Sequence, residues 1–502
     1  MADESPTPQR RRVRQRLLTL DSDERERHAS WLELFFDLVF VLAVSKVAAV
    51  LGRDSDLTAF LEFLVLFILV WWSWVGYTFY ADRFESEEAE YRVLTFASML
   101  AVVALSLTIG GAFSLSGDVQ FVTCYAAVRL LLVAQYTRTA YYVPVGRSLA
   151  VQYIGGFGTA ALVLLLSLLF APPVRYYIWI GVILLELSTP FINTRLTRII
   201  PFDRTHIPER FGLFTIIVLG EAVIATANGA AGVPWTFATA GTAALGFAMA
   251  ACIWWINFDF VEDNAIKSDR LLSRFMYIQS HYFIVASIVI IGIGAEHAIK
   301  DAINGRVQLS TSVMLGGGVA AYLTAVTAVR IFSGVCTLIN GRLISIAVAI
   351  ATAVFGTMLP PYAVVAILLL ALAAGVWFES LYVYEHEEEG EISPRLVPCQ
   401  HESEATIFRP RSNEGCELCV KNNYKWVHLR MCLECGHVGC CDSSRNKHAT
   451  KHYHSEGHPI MASLEDGDNW AWCYSDERFV PLTRPIGKYR PAKIELVETE
   501  ES

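Results

Sequence analysis

The densest chemistry in this chain sits in its final fifth. Eight of eleven cysteines fall there, Cys399, Cys416, Cys419, Cys432, Cys435, Cys440, Cys441 and Cys473, among His401, His448, His452, His454 and His458. Two Cys-x2-Cys pairs followed by histidines four and six residues apart read as zinc ligands, because short knuckles of thiolate and imidazole close a tetrahedral ion. The companion histidines argue against a disulfide framework. No catalysis is expected from such ions, since four protein ligands leave no open position for water.

A second set of reactive side chains lies where hydrocarbon is expected. An ionisable group in a bilayer costs several kcal/mol unless paired or hydrated, so each is a functional candidate. Glu33 and Asp37 are spaced i, i+4 and share one helix face. Arg129, Glu186 and Glu221 fall within apolar segments, and His281 does so as well. Arg129 is expected to compensate one or two of the carboxylates. An acid left over, Asp37 or Glu221, would take up and release a proton, and the competing reading is a fixed ion pair that locks helices together. Glu33, Lys46 and Glu379 are expected to reach the interface, and His281 to be a packed, hydrogen-bonded side chain.

The elements that must position these groups follow from composition. Hydrophobic residues make up 54% of the 502 and charged residues 18%, with a net charge of −9, which places most of the chain in lipid. Spanning ~30 Å of hydrocarbon takes roughly 20 apolar residues. Twelve such segments fall near 31–51, 57–80, 91–113, 118–141, 148–170, 174–199, 208–229, 234–259, 271–299, 309–333, 340–358 and 361–384. Placing the N-terminus in the cytoplasm leaves twenty Lys and Arg in the inside segments and four outside. That bias puts both termini in the cytoplasm, where thiols stay reduced and free to bind metal.

The membrane part is written twice. The opening WLELFFDLVFVLAVSKV returns as ERFGLFTIIVLGEAVIATA, and Trp71-Trp72 returns as Trp254-Trp255, each pair followed by a charged loop. The expected fold is therefore an all-α polytopic membrane protein of about twelve transmembrane helices in two six-helix repeats, plus a small α+β zinc-binding domain. Six helices per repeat give the halves one topology, as in transporters built from parallel halves. Paired tryptophans of this kind are expected in an interfacial belt.

The expected domains are a cytosolic basic segment over 1–30, a transmembrane domain over 31–384 with repeats about 31–199 and 208–384, an acidic linker over 385–398, a zinc finger over 399–480 and a flexible tail over 481–502. Residues 1–30 carry no apolar run and no cleavage site, unlike a signal peptide. Gly155-Gly156-Phe157-Gly158 and Gly316-Gly317-Gly318 suit close helix packing better than nucleotide loops. Basic residues in the finger are sparse, so no nucleic acid partner is expected.

Two resemblances follow. The stretch WLELFFDLVFVLAVSKVA resembles the signature of the bacterial low temperature requirement A family of multi-pass membrane proteins, over roughly residues 28–385. The order of ligands in the last fifth resembles the ubiquitin-specific-protease-type zinc finger, several relatives of which receive a C-terminal Gly-Gly carboxylate. That resemblance implies one zinc on Cys416, Cys419, His448 and either Cys440 or Cys441. It implies a second on Cys432, Cys435, His452 and His458, and a third on Cys399, His401 and Cys473, with Asp476 in place of the usual last cysteine. It also implies a tail pocket with Trp472 and Tyr474. Arg430 stands where a tryptophan is usual, and Arg445 or Arg430 would have to anchor the carboxylate.

The leading expectation is a transporter or permease of an unknown small substrate, with Asp37 or Glu221 as the candidates for proton coupling and a cytosolic finger that binds a protein or C-terminal tail. The alternative is a membrane-anchored recruitment scaffold whose active part is the finger. No nucleophile and base stand at a workable spacing, so no enzyme is expected.

Overall fold

A computed structural model describes residues 29–53, 56–86, 88–114, 117–192, 196, 200, 202–203, 206–259, 271–332, 339–388, 399, 401, 406–422, 424–442, 444–465, 470–476 and 478–482. The chain divides into two compact units, Met1–Phe378 and Glu379–Ser502. The segment 1–28, most of the 385–398 linker and the tail beyond 482 lie outside the described residues, as do the side chain of Glu379 and the loop carrying Lys267 and Arg270.

Among the described residues, twelve α-helices follow one another up to Glu388. They are α1 (Trp31–Arg53), α2 (Leu57–Phe84), α3 (Ala89–Thr108), α4 (Asp118–Tyr142), α5 (Arg147–Leu166) and α6 (Val174–Ser188). The second half has α7 (His206–Ala230), α8 (Phe237–Asn257), α9 (Leu271–Asp301), α10 (Leu309–Phe332), α11 (Ile339–Phe355) and α12 (Pro361–Glu388). Ten are long and apolar enough to cross a membrane. The two shorter cases are α6 and the apolar stretch Pro361–Trp377 of α12. At 15 residues, α6 rises only ~22 Å, and a 3-10 turn through Pro190 follows it.

Local chemistry sets the helix ends. Asp56 caps α2 by accepting from Ala59 N at 2.7 Å, and Thr236 with Thr239 forms a capping box on α8. The carboxylate of Asp301 closes α9 and opens α10 by accepting from Gln308 N at 3.0 Å and Thr311 Oγ1 at 2.8 Å. Each terminus leaves orphan amides that cannot be left bare near lipid.

The halves share a packing scheme. In the first, α1 packs on α2 and α3; in the second, α7 packs on α8 and α9. Tyr77 on α2 donates to Val128 O on α4 at 2.8 Å, and Tyr322 on α10 donates to Ile253 O on α8 at 3.1 Å. The halves meet where α1 and α2 face α7 and α9. Within the second half, small residues allow close approach: a Cβ on Gly292 of α9 would lie 2.7 Å from Ala222 Cα of α7, the kind of seam that packs helices in lipid.

The paired tryptophans depart from expectation. Trp254 and Trp255 are half exposed, as a belt requires, whereas Trp71 and Trp72 are buried. Trp71 and Trp74 pack on Phe211 and Phe214 of α7 with ring centroids 4.4–5.6 Å apart. Trp71 of the first pair belongs to the contact between the halves, where aromatic burial and edge-to-face packing stabilise the seam.

Among its described residues the second unit holds α13 (Glu417–Lys421), α14 (His448–Glu456) and five strands: β1 (Leu429–Cys432), β2 (Val438–Cys440), β3 (Ile460–Ser463), β4 (Trp470–Cys473) and β5 (Arg478–Pro481). The sheet runs β2-β1-β3-β4-β5, antiparallel throughout. Its core is small, Met431, Val438, Ile460 and Ala471 among the cysteines, and a domain of this size needs metal to supplement such a core.

Candidate functional site

Among the described residues, three groups of donors converge in the finger, each with its ligand atoms within 4.8 Å of one another. The first is Cys416, Cys419, Cys440 and His448; the second is Cys432, Cys435, His452 and His458; the third is Cys399, His401, Cys473 and Asp476. His448 Nδ1 lies 3.1, 3.2 and 3.5 Å from the sulfurs of Cys416, Cys419 and Cys440. In the second group, Cys435 Sγ is 3.3 Å from His452 Nε2 and Cys432 Sγ is 3.5 Å from His458 Nδ1. In the third, Cys399 Sγ lies 3.1 Å from Asp476 Oδ2 and Cys473 Sγ lies 3.6 Å from His401 Nδ1.

These separations fit a tetrahedral cation. Zn–S near 2.3 Å and Zn–N near 2.05 Å imply donor-to-donor edges of roughly 3.3–3.8 Å. Burial pushes the Cys399, Cys419 and Cys432 thiols up to about 12, so without a cation they keep their protons. A bound zinc would hold them as thiolates. Hairpin and helix ends place the donors: the β1–β2 turn through Gly436, at φ +76°, brings Cys432 and Cys435 together, and α14 presents His448 and His452 one turn apart. The stacked ring of His437, 4.4 Å from His452, holds the imidazole from behind.

Of the two adjacent cysteines, the structure brings Cys440 into the first group. Cys441 points elsewhere, with Sγ 3.5 Å from Ser444 Oγ and 3.8 Å from His428 Nδ1. The extended pairing runs one residue past β2, Cys441 N donating to His428 O at 3.0 Å, and successive side chains of an extended chain leave opposite faces.

The tail-pocket candidates are divided. Arg430 on β1 lays its guanidinium 4.6 Å from the Trp470 ring centroid and donates to Ser463 Oγ at 3.0 Å. Trp472 follows on the same face of β4, opposite Met461 and Phe479. Tyr474 stacks on Tyr453 at 5.2 Å, and burial pushes its phenol up to about 12. Arg445 is exposed on the loop before α14.

Among the described residues of the membrane unit, the candidate charges Glu33, Asp37, Arg129 and Glu186 fall into two buried systems. Arg129 pairs with Glu186 and donates to Tyr125 Oη at 2.8 Å. The second system joins the halves. Arg210 on α7 meets Asp37 of α1 through Nε to Oδ2 at 3.0 Å and Nη2 to Oδ1 at 2.6 Å, and meets Glu33 at 2.7 Å. Trp74 Nε1 donates to Asp37 Oδ1 at 2.7 Å. His206 sits between Asp82 Oδ1 at 2.9 Å and Glu33 Oε2 at 3.3 Å.

Glu33 therefore does not reach an interface: it is 3% exposed, drawn inward by Arg210. Sequence reasoning counted Arg210 as a loop charge and passed over His206 and Asp82. The signal was the repeat itself: the motif offset sets Arg210 beside Trp31 at a helix mouth, so the acids of one half had a base at the same depth in the other. Glu221 is half buried on α7, in a chamber shared with Ser45 and Glu296. His281 is buried, its Nδ1 2.9 Å from Tyr277 O.

Fold and sites together define a multi-pass membrane protein with a zinc finger. The chain belongs to the bacterial low temperature requirement A family, whose profile, "Bacterial low temperature requirement A protein (LtrA)", matches residues 28–377. A second profile, "Zn-finger in ubiquitin-hydrolases and other protein", matches residues 416–484. An uncharacterized protein of Rhizobium meliloti, RA0937, is 25% identical over 300 residues, 54% of this chain and 69% of its own length. Ubiquitin carboxyl-terminal hydrolase 16 of mouse and of rat is 50% identical over 48 residues, 9% of this chain. The chain spans only 6% and 5% of those hydrolases. The solution structure of RPA1320 from Rhodopseudomonas palustris is 42% identical and covers 19% of this chain and 99% of its own, at a TM-score of 0.17.

Proposed function

We propose that this protein is a proton-coupled transporter of a small solute in the bacterial inner membrane, with both termini in the cytoplasm and the finger as a docking arm. The observation that supports it is the Glu33–Asp37–Arg210–His206–Asp82 network. It ties α1 and α2 of one half to α7 of the other at a single end of the bundle. Transporters built from parallel halves rock about a central site, which requires a contact that is strong in one state and released in the next. Protonation of Asp37 or Glu33 would remove the charge that holds Arg210 and weaken that contact.

The finger holds up to three zinc ions and acts without catalysis, as a surface for a protein or a C-terminal tail. A recruitment scaffold is the second reading, favoured by the face on which Arg430, Trp470 and Trp472 stand together. Flux in proteoliposomes under an imposed pH gradient separates the two. Asp37→Asn is expected to abolish flux while folded protein persists in the membrane. Loss of folded protein would leave a structural lock, and a normal rate would sink the coupling role. Titrating the full-length protein with a Gly-Gly-ending peptide and its amidated twin tests the tail surface; equal binding of both, or none, removes carboxylate recognition.

A further inference from the structure

At the end of the bundle opposite the charge network, where α1, α3 and α9 finish, two cavities meet. The outer one, about 880 Å³, is lined by Asp56, Glu62, Lys300 and Asp301 among others. The inner one, about 310 Å³, runs between α1, α7 and α9 past Ser45, Glu221, Asn228 and Glu296. Gly52 and Arg53 line both, so Arg53 stands where one opens into the other. The inner wall is firm, because α7 and α9 touch at Ala222–Gly292 and at Gly229, whose added Cβ would lie 2.8 Å from Glu296 O.

Most charges here are already engaged. Asp56 and Asp301 cap helices, and Glu296 pairs with Lys300 at 2.6 Å. Among the described residues that line the inner chamber, Arg53 and Glu221 are left without an ion pair, and the side chain of Arg53 donates only to Ala49 O at 3.3 Å. A cation and an anion that line one chamber without pairing leave two subsites of opposite sign. A simple anion would satisfy Arg53 and leave the half-buried Glu221 uncompensated; a simple cation would do the reverse. Uncompensated charge at membrane depth is costly.

We infer that the inner chamber binds a small zwitterion, with Arg53 taking its carboxylate and Glu221 its ammonium group. Ser45 and Asn228 stand beside the chamber as further hydrogen-bonding groups. The volume suits an amino-acid-sized ligand, since small-molecule sites begin near 300 Å³. The planar fork of an arginine matches a carboxylate in two places, and an unpaired carboxylate suits an ammonium as a point charge. This rests on the transport reading above, and it makes the chamber the substrate site reached from the side opposite the termini.

The test is chemical protection in intact cells. Ala49→Cys lines the inner chamber and is exposed. A membrane-impermeant methanethiosulfonate is expected to label it above the level of the parent protein. A mixture of the twenty standard amino acids should slow labelling by about tenfold once present at ten times the dissociation constant. Ethylamine, which lacks the carboxylate, and propionate, which lacks the ammonium, should give little protection. Arg53→Gln and Glu221→Gln, each in the Ala49→Cys background, should keep the labelling and lose the protection.

No labelling from outside overturns the access route. Labelling with no zwitterion protection, or with equal protection by either twin, overturns the ligand class. Protection without flux in proteoliposomes would keep the site and reject the transporter. Flux that survives both substitutions, with no protection seen, would keep the transporter and reject the site.

Discussion

Arg210 and Asp37 meet through two hydrogen bonds, at 3.0 and 2.6 Å, with both side chains almost wholly removed from solvent. They come from different halves of the chain, 173 residues apart. Removing one partner of a buried pair typically costs 3–5 kcal/mol, because the other charge is stranded. Arg210→Ala is therefore expected to lower the melting temperature in detergent sharply. Arg210→Met combined with Asp37→Leu and Glu33→Gln should recover most of the loss. Equal melting of the single and combined variants would show that the network does not hold the halves together.

Trp74 reports on the same carboxylate from the other side. Its Nε1 donates to Asp37 Oδ1 at 2.7 Å while its ring packs on Phe214 at 4.4 Å. Trp74→Phe keeps most of the ring contact and removes the donor. A hydrogen bond to a charged group contributes about 1.5–3 kcal/mol, so a destabilisation of that order is expected by thermal or denaturant unfolding. A neutral result would mean that Arg210 alone satisfies Asp37.

Much of this architecture was legible in the sequence, for physical reasons. Lipid demands long apolar helices, so twelve segments could be marked, and a tetrahedral ion demands clustered soft donors, so the finger's ligands stood out. The partner of Asp37 was not legible, because Arg210 sits at a helix mouth where positive charge is also expected of a cytoplasmic loop. Trp71 was misread for a similar reason: an amphipathic ring suits both an interface and a packed seam, and only tertiary contact decides. The choice between Cys440 and Cys441 turned on which way each side chain leaves the extended chain at the end of β2, which spacing cannot give. The Arg53–Glu221 chamber is a property of three helices together and has no local signature.

The seam between α7 and α9 should tolerate almost nothing larger. A Cβ on Gly292 would stand 2.7 Å from Ala222 Cα and 2.9 Å from its Cβ, backbone-bearing atoms that cannot swing away. Overpacking of this kind costs about 1–3 kcal/mol or more. Gly292→Val is expected to destabilise clearly more than Gly220→Val on the outer face of α7, where an added Cβ meets nothing within 4 Å. Similar melting temperatures for the two would show that the helices can separate at little cost.

The adjacent cysteines give a count. Cys440 lies with Cys416, Cys419 and His448, whereas Cys441 lies outside all three donor groups. Native mass spectrometry of the full-length protein should find Cys440→Ser short of one zinc and Cys441→Ser with a full complement. The reverse pattern would place the ligand on Cys441 and require β2 to shift by one residue.

Acid should release the metal in a defined window. Burial, aided by His437 and His458, holds His452 down to about 4 in the folded finger, against an ordinary histidine value of 6.5. Below 6.5 the unfolded chain therefore binds a proton that the folded finger refuses, and stability falls as pH drops from there toward 4. Zinc acts in the same direction, since it competes with protons for imidazole and thiolate alike. Zinc retained by the full-length protein after dialysis should be complete at pH 7.5, decline below 6.5 and be largely lost by pH 4. A chelator at pH 7.5 should bring about the same loss of structure in the finger while leaving the helical signal of the membrane unit intact. Full retention at pH 4 would mean that the histidines are dispensable as ligands.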